Sequence, residues 1–236
     1  MNDSEQYSRR RFVRHGLTLA GITFAWGQLR TKAWAEPAKP GPTGPDEALA
    51  ELVAGNKRYI TGKNMHHDFG PERSNLAQSQ HPFAIILGCA DSRVSPELAF
   101  DQTRGRLFVV RVAGNFVDEN GLASIEFGAK VLGASLIMVL GHDSCGAIQG
   151  AIDVVTKNAQ LPGHLPGLVA HLKPPVEKAL KQQGSLLANA TRENVLLNVE
   201  TLRNSEPVLS GMVKENRLRV VGGLYELASG RVQVLS

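Results

Sequence analysis

Phe83-Ala84-Ile85-Ile86-Leu87-Gly88-Cys89-Ala90-Asp91-Ser92-Arg93 runs an unbroken apolar segment straight into a cysteine and a closely spaced acid–base pair. A run this short, bounded by Pro82 and Gly88, reads as a strand buried on both faces, as in a parallel sheet covered by helices. The pattern returns as Leu136-Ile137-Met138-Val139-Leu140-Gly141, followed at once by His142-Asp143-Ser144-Cys145-Gly146. Cys89 and His142 would then lie at the carboxyl ends of two strands of one sheet, where open α/β sheets collect ligands.

The two segments hold both cysteines of the 236-residue chain. Two thiolates and an imidazole are the soft and borderline donors that zinc prefers, and three protein ligands leave one tetrahedral position open for water or a carboxylate. His142 and Cys145 stand three residues apart at a strand-to-helix turn. A helix over Gly146 to Lys157 would open at Cys145, and its N-terminus would help hold a thiolate ionised. Four other readings of these residues stand beside this one. The cysteines could form one disulfide, as two cysteines in an exported chain ordinarily would. A zinc could be purely structural, although such sites usually close with four Cys or His ligands. Cys145 could be a nucleophile with His142 as its base, although side chains so close on a tight turn more often chelate. Asp91 and Arg93 could be a plain ion pair.

C-x-D-x-R at residues 89–93 and H-x-x-C at 142–145, with Phe108-Val109-Val110-Arg111-Val112-Ala113-Gly114-Asn115 between them, resemble the β-class carbonic anhydrases over roughly residues 46–236. The resemblance implies reversible hydration of carbon dioxide to bicarbonate and a proton by a zinc-bound hydroxide, with one Zn2+ per subunit held by Cys89, His142 and Cys145. Two thiolates formally cancel the dication's charge, so such a site should acidify water less than three neutral imidazoles, which bring its pKa to about 7. In the family an Asp–Arg dyad compensates, and Asp91 and Arg93 match it as the catalytic pair. The carboxylate accepts a hydrogen bond from the hydroxide, and the guanidinium keeps that carboxylate ionised and correctly turned. In some members the same aspartate becomes a fourth metal ligand and shuts the site, so Asp91 is also a conditional ligand.

One subclass of the family has an inhibitory bicarbonate site made of a Trp three residues before the first cysteine, an Arg on the second strand and a Tyr near the end. Arg111 and Tyr225 match, but Ile86 stands where the Trp would be. An open site at neutral pH, without bicarbonate inhibition, is therefore expected. A zinc hydrolase of carbon disulfide or carbonyl sulfide on the same scaffold is an alternative. A non-catalytic zinc- or bicarbonate-binding homologue is another, disfavoured because every ligand and dyad residue is present. The family also implies a homodimer or higher homo-oligomer with apolar walls shared between subunits.

Ser8-Arg9-Arg10-Arg11-Phe12-Val13-Arg14 matches the twin-arginine export pattern, and a modestly apolar stretch from Gly16 to Leu29 leads to an Ala33-Trp34-Ala35 cleavage site. Residues 1–35 are read as a twin-arginine signal peptide, cut before Glu36 and recognised by the export machinery. That route carries a folded, metal-loaded protein to the periplasm or beyond. The apolar stretch is too short to span a bilayer comfortably. Residues 36–45 form a Pro/Gly-rich linker, and 46–236 a single catalytic domain. The chain has 26 Lys and Arg against 22 Asp and Glu; residues 1–35 take six basic and two acidic residues with them, leaving 20 of each. A neutral mature domain gives no electrostatic basis for binding nucleic acid or an anionic membrane.

The expected fold class is α/β: a central, mostly parallel four-stranded sheet with an antiparallel edge strand, flanked by helices, and with zinc at the carboxyl ends of the strands. Asp46 is expected to cap a first helix with the apolar stripe Leu49, Leu52, Val53, Tyr59 and Ile60. Further strands are read at Leu107 to Val112, Leu218 to Gly223 and Val232 to Leu235. Helices are read at Gly121 to Leu132 and across Leu165 to Lys214, the latter interrupted at Pro174-Pro175. Asp143 and Ser144 are expected to fix the turn between ligands. His66, His67, His81, His164 and His171 read as solvated or capping residues, one of them available to carry protons.

Overall fold

The computed structural model describes residues 41–67 and 69–235; residues 1–35, read as a signal peptide, and the first half of the 36–45 linker lie outside them. Strands β1 (Ala84–Gly88), β2 (Leu107–Arg111), β3 (Leu136–His142), β4 (Arg219–Tyr225) and β5 (Val232–Leu235) form one sheet in the order β2-β1-β3-β4-β5. The first four are parallel, and β5 runs antiparallel along β4. Gly88 of β1 stands opposite Leu140 of β3. The chain therefore leaves β1 at Cys89 close to the level of His142, the last residue of β3.

The apolar runs are strands because both faces are covered. Ile85, Leu87, Ile137 and Val139 point to one side, against helices α4 (Glu119–Glu126) and α7 (Leu186–Arg203). Ala84, Ile86, Leu136, Met138 and Leu140 point to the other, against α1 (Pro45–Ile60) and Phe100. Each buried Ile or Leu contributes roughly 1.5–3 kcal/mol relative to exposure, so a one-residue slip of β1 or β3 is strongly disfavoured. A third apolar cluster lies beyond the strand ends, where Cys89, Phe116 and Cys145 meet α5 (Gly146–Lys157) and α6 (Leu165–Ala179).

Three details depart from the sequence reading. Helix α1 begins at Pro45 with Gly44 as its N-cap, so Asp46 lies in the first turn, where its carboxylate accepts from Arg219 at 2.7 Å. Its buried face is Ala48, Leu52, Gly55 and Asn56, leaving Val53 and Ile60 largely exposed. The face is turned because Asn56 docks the helix: its Nδ2 donates to the carbonyls of Ala99 and Gly230, and its Oδ1 accepts from Val232. Helix α6 runs straight through Pro174 and Pro175. The prolines cannot donate to the carbonyls of Ala170 and His171, but both of those residues are exposed and water can serve them. Burial of Leu172, Pro175, Val176 and Ala179 holds the helix together. Finally, α4 starts at Glu119, capped by Asp118, and its last turn widens into a π-helical segment, Phe127–Val131.

Candidate metal centre

Cys89 follows β1, His142 ends β3 and Cys145 is the N-cap of α5, as the spacing predicted. The turn between the last two is fixed from outside. Asp143 donates its N–H to the Tyr225 carbonyl, and its Oδ1 accepts from Leu227, while Ser144 takes a left-handed conformation. The two thiols and the imidazole converge, with their ligand-type atoms all within 4.8 Å of one another and all three residues buried. Both cysteines are free, so the disulfide alternative does not form.

His142 shows which atom is offered. Its Nδ1 lies 2.7 Å from the Asp143 carbonyl, which can only accept, so Nδ1 carries the proton and Nε2 presents a lone pair. That Nε2 is fully buried and has no hydrogen-bond partner. An orphaned buried nitrogen facing two sulfurs is costly unless something binds it, and a soft dication answers that need. A hydrogen bond from Cys145 pulls the Cys89 thiol well down against its burial, with help from the Gly114 and Asp91 backbone. Cys145 is pushed up in consequence, against the opposing pull of the Ile148 and Ala147 N–H groups at the start of α5. The Gly114 N–H meets Cys89 Sγ at 3.2 Å.

Asp91 and Arg93 form a two-pronged pair beside this trio. Arg93 Nε donates to Asp91 Oδ1 at 2.9 Å and Nη2 to Oδ2 at 2.7 Å, and the Arg93 backbone N–H adds a third bond to Oδ1. The guanidinium holds the Asp91 carboxyl far below the usual carboxylate range, with burial opposing. Asp91 Oδ2 is 3.8 Å from His142 Nε2. Arg93 also reaches the Ser144 carbonyl, 3.3 Å away, and so ties the two motif loops together.

Arg111 has a use that the sequence did not disclose. Its guanidinium donates to the carbonyls of Cys89, Asp91 and Val94 at 2.8, 2.7 and 2.9 Å. It therefore clamps the backbone of the loop that carries both Cys89 and the Asp91–Arg93 pair. The only sequence signal for this was a charge closing an otherwise apolar strand. Tyr225 is buried, its hydroxyl 3.5 Å from that of Tyr59, and Ile86 is fully enclosed in the core. Arg111, Tyr225 and Ile86 are thus all engaged in packing or backbone support. Of the remaining histidines, His171 stacks on Phe116 at 4.3 Å between ring centres, and His67 Nε2 lies 3.5 Å from buried Asp101; the other three are exposed.

A doubly covered parallel sheet with a Cys-His-Cys cluster at its carboxyl edge defines an α/β protein with a candidate metal site. Comparison with known proteins narrows that class. The carbonic anhydrase family model matches residues 84–232. Carbonic anhydrase 2 of Mycobacterium tuberculosis is 36% identical over 190 residues, covering 80% of this chain and 92% of its own. The solved β-carbonic anhydrase of Aspergillus fumigatus superposes with a TM-score of 0.62 at 27% identity, over 80% of this chain and 90% of that one. Tetrameric β-carbonic anhydrases of Sordaria macrospora share the fold, with a TM-score of 0.62 at 24% identity over 80% and 94%. The chain belongs to the β-class carbonic anhydrases.

Proposed function

We propose that this chain hydrates carbon dioxide reversibly to bicarbonate and a proton, with Cys89, His142 and Cys145 holding a zinc ion and Asp91 and Arg93 directing the reacting oxygen. The carrying observation is the convergence of two buried sulfurs and an orphaned imidazole nitrogen beside an ionised carboxylate. Zinc, when bound there, supplies a Lewis acid that makes water nucleophilic near neutral pH. Asp91, kept ionised by Arg93, would accept a hydrogen bond from the reacting oxygen and turn that oxygen's lone pair toward carbon dioxide. Both Asp91 oxygens are taken up by Arg93, which favours a site whose fourth position is open rather than closed by Asp91. Arg111 holds the Asp91 loop still while this happens.

Stopped-flow hydration by zinc-loaded protein tests the reading. Asp91→Asn should lower the rate by about 10–100-fold with zinc content unchanged. Equal, slow rates for both proteins would remove the enzymatic reading. Turnover of carbon disulfide without turnover of carbon dioxide would redirect it to a sulfur substrate.

Two further parts of the proposal rest on other observations. The tetrameric relatives support a homo-oligomer, which light scattering should report as a mass above that of one chain. The motif Ser8–Arg14 and Ala33-Trp34-Ala35 support export through the twin-arginine machinery. N-terminal sequencing of the mature protein should then begin at Glu36. No helix of the described residues is long and apolar enough to cross a membrane.

A further inference from the structure

We infer that Asn194, on α7, is a positioning residue for the metal centre: by gripping the Gly114 carbonyl it holds the Gly114 N–H on Cys89 Sγ and so limits how much charge that thiolate delivers to the ion. The inference rests on the zinc reading above and adds a residue that neither the motifs nor the ligand cluster point to.

The loop after β2 folds back on itself, with the Asn115 N–H donating to the Val112 carbonyl at 3.0 Å. Gly114 and Asn115 both take positive φ, +88° and +42°. Two left-handed residues in succession, one of them with a side chain, persist only where the surroundings hold them. Asn194 does so: its Nδ2 donates to the Gly114 carbonyl, the oxygen of the peptide joining those two residues, at 2.8 Å. On the other side of the same glycine, the N–H meets Cys89 Sγ at 3.2 Å. A side chain at Gly114 would lie 2.8 Å from Leu172 Cδ1, so the loop is pressed between α6 and the sulfur with no slack.

Asn194 is fully buried, and Asn198 is 5% exposed. Neighbouring positions on the inner face of α7 are Ala190, Val195, Val199 and Leu202, as expected for a core helix. Asparagine is a poor helix residue, and burying one is costly unless its amide is satisfied. Both amides are satisfied by the loop and by each other: Asn198 Oδ1 accepts from the Val117 N–H at 2.8 Å, and Asn198 Nδ2 donates to the Asn194 backbone carbonyl at 2.8 Å and to Asn194 Oδ1 at 3.2 Å. The helix thus carries two buried polar residues whose outward contacts all go to the segment lying on Cys89.

The chemistry gives that contact a purpose. Two thiolates neutralise a dication, which works against acidifying water, and hydrogen bonds to metal-bound sulfur draw electron density away from the metal. An N–H held on Sγ therefore leaves the ion a stronger Lewis acid than the bare ligand set would.

Cobalt(II) in place of zinc makes the sulfur–metal charge-transfer absorption visible, because zinc is d10 and silent. Asn194→Leu keeps the side-chain volume and deletes the donor, and Asn194→Ala is a smaller alternative should the leucine not be accommodated. The expected result is a shift of the thiolate-to-cobalt band to longer wavelength in either variant. In the zinc-loaded protein kcat should fall about tenfold with KM unchanged. Leu202→Ala, at the far end of α7, controls for general loosening and should lower the melting temperature without moving the band. A band that stays in place in both Asn194 variants, or moves as far in Leu202→Ala, overturns the inference. Absence of any thiolate-to-cobalt band in the wild type overturns the metal reading itself, and this one with it.

Discussion

Arg93 and Arg111 are both guanidiniums near Asp91, yet one holds its side chain and the other its backbone. The first contact has an acid-stability consequence. A carboxyl whose folded pKa lies below its unfolded value of about 3.9 contributes stability that is whole above that pH and fades as pH falls through the folded value. Asp91 is such a group, with Arg93 as the main cause. Arg93→Met should therefore return Asp91 toward its ordinary range, and the acid-unfolding midpoint followed by circular dichroism should move to higher pH. An unchanged midpoint would mean that the pair does not contribute. The second contact predicts an insensitivity. With Arg111 committed to three carbonyls and a buried Ile86 in place of the Trp, added bicarbonate should slow hydration only as a product does. A steep, cooperative fall in initial rate with bicarbonate would contradict that. The convergence of Cys89, His142 and Cys145 was legible in the sequence because an apolar run leads into each motif and its end fixes the motif's place. Arg111 and Asn194 were not, since their partners are backbone atoms of segments distant along the chain, and a carbonyl leaves no trace in residue type.

Strands were easier to read than helices. A strand buried on both faces needs a continuous apolar run, and all five appear within two residues of their expected bounds. Helix α6 was misjudged because propensity weighs Pro174-Pro175 heavily, whereas packing on neighbouring helices and water on the exposed side outweigh it. The buried face of α1 was misjudged because a satisfied asparagine replaced an apolar residue in the stripe. The seat of α7 on the sheet depends on a position the apolar pattern could not rank. A Cβ on Gly141 of β3 would come 2.6 Å from Val195 Cγ2. Gly141→Ala should lower stability by about 1–3 kcal/mol through overpacking. Because the clash is with one side chain, Val195→Ala in the same chain should recover part of that loss, a coupling of at least about 0.5 kcal/mol in a denaturant double-mutant cycle. Strict additivity would show that the helix is seated elsewhere.

The whole domain hangs on one sheet whose carboxyl edge gathers the three candidate ligands from two neighbouring strands and the start of the helix after the second. Metal should therefore report on global stability. Removing it with a chelator should lower the melting temperature, and zinc at about a thousand times its dissociation constant should restore roughly 4 kcal/mol. A melting curve indifferent to chelator and zinc would mean the ion does not bind the folded state. Fold class, the antiparallel edge strand and the closeness of Cys89, His142 and Cys145 were all visible in the sequence at this scale, because parallel β1 and β3 leave little freedom in where their ends emerge. Cys89, His142 and Cys145, the three candidate donors, all lie on one polypeptide. On the proposed zinc reading, a newly made chain should then capture its cation alone, and a homo-oligomer diluted until its subunits part should leave each one still loaded.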